Sequence, residues 1–138
     1  MTITKQELFD KVATHLLAQK RVSTGVYPKG SALGDMDSPA YTGGCLYRGP
    51  DNTQCAFGCL IPDELYRPSM EGRMASSLLY DPNHSQLGDL YPEELHKIIS
   101  DLQHLHDFGD VESWPDELGL MAMREGLNLN MKFEFKLV

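Results

Sequence analysis

Apolar residues recur along this chain with two different periods. Leu8, Val12, His15, Leu16 and Gln19 follow at helical spacing behind Thr4-Lys5-Gln6-Glu7. That tetrad matches a capping box, in which a Thr side chain and a Glu three residues on satisfy each other's free backbone amides, so a helix is predicted over 5–19. The clearest helical stripe is Leu95, Ile98, Ile99, Leu102, Leu105 and His106, behind Pro92-Glu93-Glu94. Proline is tolerated in a first helical turn and acids complement the positive end of the dipole, which predicts a helix over 92–108. Ser113-Trp114-Pro115-Asp116 offers a further cap, and the helix behind it should stop at Gly126. The other period is two. Met131, Phe133, Phe135 and Leu137 alternate with Lys132, Glu134 and Lys136, the pattern of a half-buried strand at 131–138.

Between these elements the pattern weakens. Residues 21–44 hold five glycines and two prolines, a turn-rich composition that reads as one long loop. Cys45-Leu46-Tyr47-Arg48 reads as a short strand and Gly49-Pro50-Asp51-Asn52 as a turn. Residues 54–61 fit either a return strand or a short helix capped by Asp51 or Thr53, and the strand is the reading taken. Pro62-Asp63-Glu64 should open a helical turn through Tyr66, residues 73–80 another, and 81–92, DPNHSQLGDLYP, should be loop. The sum is an α+β fold: one domain over 1–138, with a short antiparallel sheet that includes the C-terminal strand, packed against three or four helices, and a long loop at 21–44.

With 138 residues the chain has the usual size of one domain. Its formal net charge of −8 repels phosphate backbones, which argues against direct nucleic-acid binding and favours a partner with a basic surface. Three cysteines, an odd number, and an opening MTITKQELF without the character of a signal peptide suggest a reducing compartment and no disulfides. No run reaches membrane-spanning length, so a cytoplasmic location and no membrane association are expected.

Chemistry-bearing residues are present without a complete constellation. Cys45, Cys55 and Cys59 have the spacing C-x9-C-x3-C and no adjacent fourth ligand, so no metal and no cofactor is expected. Were the chain an enzyme, Cys55 would be the nucleophile, with His106 as base and Asp107 as its orienter, or His84 as the base instead. Cysteines packed in the core are the simpler reading. Lys29-Gly30-Ser31 lacks the earlier glycine of a phosphate loop, and Asp35-Met36-Asp37 lacks the ligands of a calcium loop. The 21–44 loop is too long and too apolar for a plain connector. Tyr27 and Tyr41 are therefore the expected binding anchors, and Asp35 and Asp37 the charges that steer a basic partner.

Residues 45–72, CLYRGPDNTQCAFGCLIPDELYRPSMEG, and 102–108, LQHLHDF, resemble a group of small uncharacterised phage and prophage proteins with a C-L-Y-R…C-A-x-G-x-L-I-P-D-E-x-Y…E-G pattern. The resemblance covers the central third of the chain and one helix. It implies an accessory protein acting in the bacterial host cytoplasm and carries no catalytic residues with it. The expected function is binding and inhibition of a host or bacterial-defence protein, such as one of CRISPR interference. A protein that sequesters a nucleotide or signal molecule and a Cys-dependent hydrolase are the alternatives.

Overall fold

The capping box at Thr4 forms as its spacing requires. In the computed structural model, which describes residues 2–31 and 43–128, the Glu7 N–H donates to Thr4 Oγ1 and the Thr4 N–H to Glu7 Oε1, both at 3.1 Å. Helix α1, Lys5–Gln19, starts there and buries Leu8, Phe9, Val12, Ala13 and Leu16. Four more helices follow: α2 (Ala75–Leu79), α3 (Ser85–Leu90), α4 (His96–Phe108) and α5 (Trp114–Glu125). A 3-10 turn, Glu93–Leu95, leads into α4, so the predicted 92–108 helix is present with a tightened start. Gly126 takes the left-handed conformation at φ 67 and ends α5, where any other residue would be strained. Ser113 makes no side-chain cap; a 3-10 turn, Val111–Ser113, runs straight into α5 instead.

The expected long loop at 21–44 is not loop at its ends. Strand β1, Thr24–Val26, pairs antiparallel with β2, Gly43–Cys45, in the register Thr24↔Cys45, Gly25↔Gly44 and Val26↔Gly43. The ribbon is extended by Leu46 N–H donating to Ser23 O at 2.9 Å and Ser23 Oγ–H donating to Leu46 O at 2.8 Å. Thr-Gly-Val and Gly-Gly-Cys carry no alternation from which pairing can be read, because a three-residue ribbon is specified by its partner rather than by its pattern. The described sheet thus has two strands. The predicted strand at 131–138, and Asp35, Asp37 and Tyr41, lie outside the described residues.

Two further expectations are overturned. Residues 54–61 contain no strand; they fold into a buried turn with a 3-10 helix at Gly58–Leu60. Cys59 N–H donates to Cys55 O at 3.2 Å, Leu60 N–H to Phe57 O at 2.9 Å, and Cys55, Ala56 and Phe57 are all buried. A run buried on every side mimics a central strand in sequence. The segment 81–92, expected as loop, holds a 3-10 turn, Pro82–His84, and α3. Asp81 accepts from the Asn83 N–H at 2.8 Å and so starts this stretch. Leu87 alone is buried in α3, so a six-residue helix leaves no readable stripe.

Among the described residues the chain is mostly helical, with α4 contacting α1, α2 and α5. Ile98, Ile99, Leu102 and Leu105 of the α4 stripe share one core cluster with Trp114 and Leu118 of α5 and the buried leucines of α1. Glu125 at the end of α5 ties the three long helices together: Lys5 Nζ of α1 lies 2.6 Å from Oε2 and Lys97 Nζ of α4 3.0 Å from Oε1. No helix of the described residues is long and apolar enough to cross a membrane.

Candidate functional site

A cleft of about 280 Å³ opens between the β-ribbon, the start of α2 and the last turns of α4. Tyr27 and Cys45 come from the ribbon, Arg73 and Met74 from the approach to α2, and Gln103, His104, Asp107 and Phe108 from α4. Cys45 and Asp107 of its wall and the buried His106 behind them bring one ligand or nucleophile atom each within 4.8 Å of one another. Sequence reasoning paired His106 and Asp107 with Cys55. The structure pairs them with Cys45, because β2 is drawn to α4 through Ser23, whose backbone N–H donates to His106 Nε2 at 2.9 Å.

That bond fixes what His106 can do. A backbone N–H only donates, so Nε2 is the bare acceptor nitrogen and the ring proton sits on Nδ1, which donates to Asp107 Oδ1 at 2.8 Å. Both ring nitrogens are engaged and the ring is fully buried against Trp114, with centroids 5.8 Å apart. No lone pair remains to take a proton from a thiol. The same geometry opposes a metal ion, because a ligating imidazole donates its other N–H to an acceptor, whereas Nε2 here faces a donor.

The thiols are equally unsuited to attack. Burial, then hydrogen bonding to Asp107 and its charge, push Cys45 up to about 12. Cys55 is buried, accepts from the Gly58 N–H at 3.3 Å, and is raised chiefly by desolvation. Cys59 is pushed up to about 12 by burial. A nucleophilic cysteine needs the opposite environment, an electropositive one that favours thiolate.

The residues of the 45–72 pattern serve architecture instead, around a buried carboxylate. Glu71 Oε1 accepts from Tyr47 N–H at 2.7 Å, and Oε2 from Arg48 N–H at 3.1 Å and the Tyr66 hydroxyl at 2.8 Å. The Tyr47 hydroxyl donates to Arg73 O, and the Arg48 guanidinium donates to Ile61 O and covers the Tyr66 ring at 5.2 Å. Gly58 packs directly on the Tyr47 carbonyl, where a Cβ would collide. The sequence pattern contains Glu71 without a role for it and passes over Gln103 and Ser23. Glu71 meets Tyr47 and Arg48 at 24 and 23 positions, Gln103 meets Phe57 at 46 and Ser23 meets His106 at 83, and no local signal marks such pairings.

Of the expected binding residues, Tyr27 is half-buried and lines the cleft, its ring lying over Gly44. His104 is exposed and packs on Phe108 at 4.7 Å. His96 is half-buried, bonded to Tyr91 O at 2.8 Å and packed edge-on to Tyr80. Met74, Phe108, Leu120 and Met123 are 64–79% exposed. His104 belongs both to the Met74–Phe108 cleft and to a second, more open depression bearing Leu120 and Arg124, so Met74, Phe108 and Leu120 border adjoining depressions. Compared with family models, curated proteins and solved structures, the chain matches none.

Proposed function

We propose that this chain is a non-enzymatic binding protein of phage type, which acts in the host cytoplasm by occupying and inhibiting a host or bacterial-defence protein. The observation that carries the reading is the set of exposed apolar side chains Met74, Phe108 and Leu120 in two depressions that share His104, interspersed with Arg73, Asp107, Glu117 and Arg124. Contiguous exposed apolar surface rimmed by polar groups marks interaction sites. The phage-like pattern at 45–72 and 102–108 supports the bacterial setting, and the net charge of −8 supports a basic partner. Neither alternative has a comparable observation in its favour. The hydrolase lacks a free base at His106, and the carboxylates Asp107 and Glu71 beside the cleft oppose an anionic nucleotide.

The test is affinity capture by the tagged chain from phage-infected bacteria, with Phe108→Glu/Leu120→Glu as the paired variant. The expected result is one basic protein retained by the parent and lost by the variant at unchanged melting temperature. Equal recovery by both, or none above a tag-only control, would sink the reading.

A further inference from the structure

We infer that the cleft between the β-ribbon and α4 receives a single cationic side chain, an arginine or lysine of the basic partner, with Asp107 as its counter-ion and Tyr27 and Phe108 as its flanking rings. The inference rests on the binding-protein reading and supplies its recognition chemistry.

Asp107 is a carboxylate without a cation. Its Oδ1 accepts from His106 Nδ1–H at 2.8 Å and from Gln103 Nε2–H at 2.7 Å, and the Cys45 thiol also bonds to the carboxylate. All three donors belong to neutral groups, His106 because of the Ser23 bond described above. No lysine or arginine among the described residues pairs with Asp107. Arg73 also lines the cleft, yet its guanidinium is turned to Asp81 Oδ2 at 2.8 Å and Ser77 O at 3.5 Å. Asp107 retains 23% of its side-chain exposure, so a guest can reach it. Its position in the last turn of α4 adds the negative end of the helix dipole, which favours a cation at the same place. Together with Glu71 behind the ribbon, Asp107 makes the cleft electronegative: burial first, and then nearby negative charge that includes both carboxylates, raises the Tyr27 phenol above its ordinary value.

The walls fit the stem and face of such a side chain. Phe108 is 77% exposed at the mouth and is steadied by His104. Tyr27 is set by the ribbon, where Gly44 leaves room for its ring. An arginine or lysine beside an aromatic face gains cation–π attraction, and its methylenes cover apolar surface. Charge complementarity thus commits the cleft to a cation, and the same carboxylates repel the phosphates of a nucleotide.

The probe is N-acetyl-arginine methylamide titrated into the full chain and followed by amide NMR, with the uncharged citrulline analogue as control. The expected result is saturable shifts at Tyr27, Cys45 and Phe108, with the citrulline analogue at least about tenfold weaker. Asp107→Asn keeps an acceptor oxygen for His106 and Gln103 and should erase the difference between the two probes. Phe108→Ala, at an exposed position that does not threaten folding, should weaken both probes. Equal binding of arginine and citrulline analogues to the parent, or no shift at the cleft at tens of millimolar, would overturn the inference. A captured partner whose affinity Asp107→Asn leaves unchanged would overturn it too, while leaving the binding-protein reading intact.

Discussion

Replacing Glu71 by glutamine tests whether a buried carboxylate holds the 45–73 segment together. Glu71 is 1% exposed and accepts three bonds, from Tyr47 N–H, Arg48 N–H and the Tyr66 hydroxyl. Glutamine keeps the volume and one acceptor oxygen. If that oxygen faces Arg48 and Tyr66, the amide NH₂ meets the Tyr47 N–H donor to donor; the opposite flip sets it against the Arg48 N–H. Either way one buried backbone donor loses its acceptor, at about 1–3 kcal/mol, and the remaining bonds fall from about 1.5–3 to about 1 kcal/mol each. The neutral amide is easier to bury than a carboxylate, which offsets part of this loss. The net expectation is about 2–4 kcal/mol. With a urea m-value of about 2 kcal/mol/M, the midpoint should fall by about 1–2 M. Far-UV circular dichroism and Trp114 fluorescence should report the same lower midpoint at unchanged m. Tyr66→Phe, which leaves both backbone bonds in place, should cost the one charge-assisted bond, about 1.5–3 kcal/mol. A Glu71→Gln protein within about 0.5 kcal/mol of the parent, the range of an ordinary surface change, would refute the role of the carboxylate.

Gly58→Ala should destabilise by about 1–3 kcal/mol, because the new methyl meets the Tyr47 carbonyl; an unchanged thermal midpoint would show that the turn yields. Native thiols should resist iodoacetamide at neutral pH, since a cysteine raised to about 12 holds about 10³-fold less thiolate than a free one, whereas all three should label in urea. One cysteine alkylated in the native protein at the free-thiol rate would revive the hydrolase alternative. Hydrogen bonds from Lys5 and Lys97 hold Glu125 down to about 2, below the ordinary 4.5, so its stabilisation is complete above about 4.5 and lost as pH falls toward 2. Glu125→Gln should flatten that arm of the stability curve and remove about 0.2–1 kcal/mol per ion pair at neutral pH, less in high salt; an unaltered acid arm would contradict it. Leu102→Asp should abolish cooperative melting, because it places an unpaired charge where exposure is 0%. A cooperative transition near the parent's would show that the α4 stripe is not core.

What the sequence determined by itself is the part of the fold encoded locally. The capping box at Thr4 and the stripe from Leu95 to His106 specify α1 and α4 because a helix satisfies its backbone and presents one face through residues three and four apart. Gly126 likewise ends α5 through its own conformational freedom. What only the tertiary structure decided depends on partners distant along the chain. The β-ribbon exists because residues 24–26 meet 43–45, and the 54–61 turn because Gly58 can lie on the Tyr47 carbonyl. The candidate site shows the division most clearly. His106 and Asp107 were legible as neighbours, but Ser23, 83 positions away, supplies the N–H that fixes the ring's tautomer. A single backbone donor thereby turns an apparent catalytic base into a structural group and leaves Asp107 as an unmatched charge at the cleft, because a hydrogen bond's direction is set by which atoms the fold brings together.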